Sequence, residues 1–188
     1  TYTPIRHALN LLALDPKTRL IDAEARQKVL PAFAQALSDN PKLASLYLGY
    51  PDGDFMMVRP LRSDAQRQLF DAPSEAAFQL WSIDRSADGT SSSYQFFDAQ
   101  LNLLRRIQRP DEQFDPRQRP WYSNARSQQA QITTAPYAFF STAEVGTTLA
   151  RQIGQDVVLA ADLTLANLCA TLAKHKITTS SEVVLLDP

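Results

Sequence analysis

Across residues 1–40 the apolar positions recur at helical spacing. Ile5, Leu9 and Leu12 share one face, and Ile21, Ala25, Leu30, Phe33 and Leu37 continue the stripe among Glu24, Arg26, Gln27 and Lys28. The pattern predicts one long or broken N-terminal helix. Pro16 and Pro31 are its candidate interruptions, because each removes a donor and crowds the carbonyl four residues back, and Asn40-Pro41 ends it. Strand-like patterning follows. Residues 43–50 and 54–61 flank Pro51-Asp52-Gly53, a turn in which Gly53 supplies a positive φ, so they predict a hairpin. Residues 63–75 are polar around Leu69-Phe70 and read as a short helix or loop. Residues 77–84, 92–98 and 101–108 then form three antiparallel strands with short connections.

The segment 110–120 carries three prolines and is too broken for regular structure; it reads as an ordered loop or lid. Residues 121–129 predict a short helix, 136–141 and 147–153 a hairpin, and 157–162 the most apolar strand of the chain. Thr164 is a candidate N-cap for a closing helix bearing Leu165, Leu168, Cys169 and Leu172 and ending at Lys174-His175-Lys176. Asp162 competes with Thr164 for that cap. Residues 183–186 begin another strand.

Composition narrows the functional classes. The 188 residues carry 19 Lys and Arg against 20 Asp and Glu, so there is no cationic excess of the kind a nucleic-acid surface needs. No apolar run approaches the roughly 18 residues of a membrane span. One cysteine, Cys169, and two distant histidines, His7 and His175, argue against an intrachain disulfide and a protein metal site. The five glycines fall into no phosphate-loop or dinucleotide spacing, so no cofactor is expected. The serines lack a nucleophile elbow, and the acidic pair Asp111 and Asp115 lies in an irregular loop, so an enzyme is not expected either.

The chemistry concentrates in Phe114-Asp115-Pro116-Arg117-Gln118-Arg119-Pro120-Trp121-Tyr122, followed by Pro136-Tyr137 and then Asp162 at the end of the apolar strand. Arg119, held between the loop and Pro120-Trp121, offers a planar fork for a carboxylate, or else pairs with Asp111, Glu112 or Asp115. These three landmarks, in this order, resemble the Cache superfamily of bacterial extracytoplasmic sensor domains, over residues 20–188. The resemblance implies an α+β fold, a PAS-like antiparallel sheet with a long N-terminal helix, and a small-molecule pocket between the sheet and the covering loop. It divides the chain into a helical segment 1–42, a membrane-distal module of a double-Cache sensor at 43–180, and the start of a membrane-proximal module at 181–188.

It further implies a ligand site made by Arg119, Trp121, Tyr122, Tyr137, Asp162 and Phe114, with Asp162 facing an ammonium group. Taken alone, the Trp121-Tyr122 pair reads as core, and one of the two is expected to be structural. Phe114 stands where amino-acid-binding members usually carry tyrosine, so one hydroxyl is missing. An amino acid, a carboxylate, an amine, a purine-like ring and an empty structural module all stay open. The implied setting is the periplasm, in a transmembrane receptor anchored through flanking helices absent from this chain; a homodimer fits the same picture.

Overall fold

The computed structural model describes residues 3–86, 89–110, 112–128 and 130–166. Of the expected closing helix only residues 165–166 are described, and they are helical; the rest of it, with Cys169 and His175, and the strand at 183–186 lie outside the described residues. The helical start is broken, as its prolines require. Helix α1 (Thr3–Leu12) is followed by a 3-10 turn at Pro16–Arg19, a short α2 (Ala23–Arg26), a second 3-10 turn at Gln27–Val29 and α3 (Leu30–Asp39). Pro16 opens its 3-10 turn under an Asp15 cap, and Pro31 stands in the first turn of α3, where the missing N–H costs nothing. Ile5, Leu9, Leu12, Leu30, Phe33 and Leu37 are buried as the stripe predicts. Ile21 is not: it falls between the 3-10 turn and α2, outside any helix whose periodicity could turn it inward, and is exposed.

The strands are β1 (Ser45–Gly49), β2 (Phe55–Pro60), β3 (Phe78–Ser86), β4 (Gly89–Phe97), β5 (Leu103–Gln108), β6 (Ile132–Thr133), β7 (Tyr137–Ala138), β8 (Val145–Ile153) and β9 (Val157–Thr164). They form one antiparallel sheet in the order β5-β4-β3-β2-β1-β9-β8-β6, with β7 also on β8. The β1–β2 hairpin turns through Gly53 at φ +94°. Helix α4 (Asp64–Leu69) and helix α5 (Pro120–Gln128) complete the described elements.

Two cores lie on opposite faces of this sheet. Leu46 and Leu48 of β1, Met56 and Val58 of β2, and Leu159, Ala161 and Leu163 of β9 pack against α1 and α3. Tyr47, Phe55, Met57, Trp81, Val158 and Ala160 point the other way, toward Phe114, Trp121 and Tyr122. Because both faces are covered, β1, β2 and β9 are buried throughout, which explains why apolar residues occupy both faces of each strand.

A buried ion triad fastens the helical segment to the sheet. Arg26 of α2 pairs with Asp54 of the hairpin turn and, at 2.9 Å, with Asp84 of β3. Its guanidinium also lies 4.2 Å from the centroid of the Tyr50 ring. The sequence places Arg26 on a polar helix face; tertiary packing encloses it.

Candidate functional site

On the face away from α1 and α3, the sheet, α4, α5 and the segments 114–121 and 137–144 enclose a cavity of about 230 Å³. That is below the usual range of drug-sized sites and suits a small metabolite. Of the residues singled out from sequence, Phe114, Arg119, Trp121, Tyr137 and Asp162 line it together. Tyr122 does not. Neighbours on a helix point about 100° apart, so Trp121 and Tyr122 cannot face the same space. The Tyr122 hydroxyl donates instead to the Asp156 carbonyl at 2.9 Å.

Asp162 is overturned as a helix cap: it lies within β9, in register with Ser45 of β1 and Thr148 of β8. Thr164, its rival for the cap, ends the same strand and directly precedes the helical residues 165–166. The Asp162 carboxylate is held by three hydroxyls. Tyr47 and Thr148 each donate to Oδ1 at 2.6 Å, and Ser45 donates to Oδ2 at 2.9 Å. The Tyr137 and Thr148 hydroxyls lie 2.7 Å apart; with Thr148 donating to Asp162, Tyr137 supplies the hydrogen between them. Burial raises the Asp162 pKa, and these neutral donors only partly oppose it. Burial, then the Asp162 charge, pushes the Tyr137 phenol up to about 12.

Arg119 follows the 3-10 turn Pro116–Gln118 and leads into α5. The alternative of a local ion pair is not realised among the described residues. Asp115 is taken by Arg117 at 2.7 Å, and Glu112 accepts from the Phe114 backbone. The Arg119 guanidinium carbon lies 5.8 to 6.0 Å from the ring centroids of Tyr137, Phe114 and Phe140. The loop itself is tied to the hairpin turn by Arg85, which donates to the carbonyls of Gly53 and Phe114. Phe114 packs into an aromatic cluster, 4.6 Å from Phe55 and 5.0 Å from Trp81 between centroids. Trp121 meets Tyr47 edge-on at 4.9 Å and rests on Gly49, where a Cβ would come within 2.6 Å of the indole.

The hydroxyl cradle of Ser45, Tyr47 and Thr148, the floor at Gly49, and Arg59 were missed from sequence. Strict alternation in Ser45-Leu46-Tyr47-Leu48-Gly49 carried the signal for three of them: the odd positions share the face opposite the leucines. Arg59 is on β2 in the cavity wall, on the same face as Phe55 and Met57. An arginine alternating with apolar residues inside a core strand was its signal.

No family model matches the chain. Solved structures do. The ligand-binding domain of the Campylobacter jejuni chemoreceptor Tlp3 in complex with L-norvaline superposes with a TM-score of 0.57 at 17% identity, covering 92% of this chain and 53% of that one. The same domain in complex with L-valine gives 0.56 at 18% identity, covering 92% and 54%. The chain has the same fold as these ligand-binding domains. Among curated proteins, Adenylate cyclase 1 of Rhizobium meliloti (strain 1021) is 29% identical over 181 residues, which cover 95% of this chain and 26% of the cyclase. The chain spans about half the length of the matched chemoreceptor domains and about a quarter of the matched cyclase.

Proposed function

We propose that this chain is a non-enzymatic ligand-sensing module whose cavity binds a small zwitterion of the α-amino acid type. One observation carries the reading: a guanidinium without an ion pair among the described residues, Arg119, and a buried carboxylate, Asp162, line the same small cavity on either side of Tyr137. Arg119 presents a planar fork to a carboxylate. Asp162 presents an acceptor to an ammonium group, and the rings of Trp121, Phe114 and Tyr137 exclude water around both. Chemoreceptor domains of the same fold that are complexed with L-norvaline and L-valine support this class of ligand.

In this reading the chain is the membrane-distal part of a double-Cache periplasmic sensor, with 1–42 as its helical lead-in, 43–180 as the sensor module and 181–188 opening the proximal one. It passes its signal to a cytoplasmic output, and the matched cyclase supports an output of the nucleotide-cyclase kind. No helix among the described residues is long and apolar enough to cross a membrane, so the anchor in this reading belongs to flanking segments.

A thermal-shift screen over amino acids, organic acids, amines and purines tests the proposal. A ligand at about 100 times its Kd adds about 2.7 kcal/mol of stability. Stabilisation by at least one amino acid is expected. Silence across all four classes refutes the sensor reading in favour of a structural module.

A further inference from the structure

Two arginines of this domain are almost fully buried, and they are treated differently. Arg26, 4% exposed, has two carboxylates. Arg59, 6% exposed, has none within ion-pair distance among the described residues. Its Nη2 donates to the Ser141 hydroxyl at 2.7 Å and to the Met57 sulfur at 2.8 Å, both neutral and the second a weak acceptor. Its guanidinium lies 4.5 Å from the centroid of the Phe70 ring, and its Nε is enclosed without any acceptor. Burial lowers its pKa to about 10, which leaves it charged at neutral pH. Asp162 and Glu144 act on it only at longer range, and Glu144 is exposed to solvent. A buried cation that lacks a counter-ion is costly unless an anion arrives to pair with it. Arg59 lines the same cavity as Arg119 and Asp162.

The cavity is lined by two guanidinium groups and two carboxylates, of which Glu144 is exposed to solvent. The charges wholly or partly withdrawn from water, Arg59, Arg119 and Asp162, are the mirror image of a molecule with two anionic groups and one ammonium. We propose that Arg59 reads a second anionic group on the ligand, so that the cavity takes an amino acid with an acidic side chain, of the L-glutamate and L-aspartate class. This rests on the reading of Arg119 and Asp162 as the contacts to the main-chain carboxylate and ammonium.

Titration calorimetry of the purified chain with L-glutamate, L-aspartate, L-glutamine and L-valine tests it, alongside Arg59→Met and Arg59→Lys. The wild-type chain is expected to bind one acidic amino acid about tenfold or more tighter than glutamine, because the amide cannot replace a charged partner of the fork. Arg59→Met is expected to erase that preference and leave glutamine binding in place, and Arg59→Lys to retain part of it. The preference of the wild-type chain needs no variant, so a misfolded Arg59→Met leaves the test standing. Equal wild-type affinity for glutamate and glutamine overturns the inference while the zwitterion reading survives. So does an Arg59→Met variant that weakens all four ligands alike, which would place both arginines on one carboxylate. No binding of any of the four overturns the inference, and the thermal-shift screen over all amino acids decides whether the zwitterion reading falls with it.

Discussion

Replacing Asp162 by asparagine removes one charge from the cavity and almost no volume. A carboxylate offers about four lone-pair sites. Three are occupied by Tyr47, Thr148 and Ser45, and the remaining one is on Oδ2, which only Ser45 engages. In the proposed binding mode an arriving ammonium takes that site and becomes the only counter-ion in contact with a group otherwise held by neutral hydroxyls. In Asp162→Asn, Oδ1 keeps Tyr47 and Thr148. The amide nitrogen then replaces Oδ2, Ser45 turns to accept, and an N–H faces the ammonium. One charge-assisted hydrogen bond is lost, about 1.5 to 3 kcal/mol, or about ten- to hundredfold in Kd. Titration calorimetry on wild type and variant measures this, and a ligand-free thermal melt checks the fold. Amino-acid affinity is expected to fall by that factor, whereas a plain carboxylate is expected to bind the variant equally well or better. Unchanged amino-acid affinity in a folded Asp162→Asn would refute the role of Asp162 as the ammonium partner.

Arg119→Ala is expected to reduce amino-acid affinity about tenfold or more in calorimetry, with the melting temperature unchanged, because Arg119 is half-buried and joins no ion pair among the described residues. Gly49→Ala is expected to weaken ligand binding by driving Trp121 off its floor, a displacement that tryptophan fluorescence reads directly. Arg26→Leu, which strands Asp54 and Asp84 without their cation, is expected to cost about 3 to 5 kcal/mol in denaturant unfolding. The folded-state pKa of Asp162 is raised, so the folded chain holds this proton longer than the unfolded one. Its contribution to stability is therefore expected to decline as pH rises from the ordinary carboxylate pKa through the raised value, and Asp162→Asn to flatten that slope in melts against pH. Amino-acid affinity is expected to rise over the same interval, since the ammonium needs the ionised form.

The elements of this fold were largely legible because they follow local rules. The leucine and isoleucine stripe of α1, the proline positions, the Pro51-Asp52-Gly53 turn and the apolar β9 each state their own conformation. Phe114, Arg119, Trp121, Tyr137 and Asp162, five of the six residues the resemblance singled out, line one cavity. What stayed hidden depends on partners distant in sequence. Asp162 looks like a helix cap until β1 and β8 flank it and supply three hydroxyls. Arg26 looks solvated until the hairpin turn delivers Asp54. Arg59 draws its meaning from what does not pair with it, a property that no local pattern encodes. Tyr122 illustrates the converse: a motif names it beside Trp121, and helix geometry sends it elsewhere.

The sheet joins its two sequence halves along a single seam, β1 against β9, and Asp162 sits on that seam with hydroxyls drawn from residues 45, 47 and 148. Chain closure thus assembles the Asp162 cradle. During synthesis β1 waits, its inner edge unpaired, for more than 100 residues before β9 emerges to cover it. Such a distant pairing forms slowly, because loop closure must precede any reward from contact. Until it forms, the Asp162 carboxylate and its three hydroxyls are not assembled. A nascent or truncated chain lacking β9 is therefore expected to bind no amino acid and to associate edge to edge. A ligand that grips Asp162 rewards completed molecules alone.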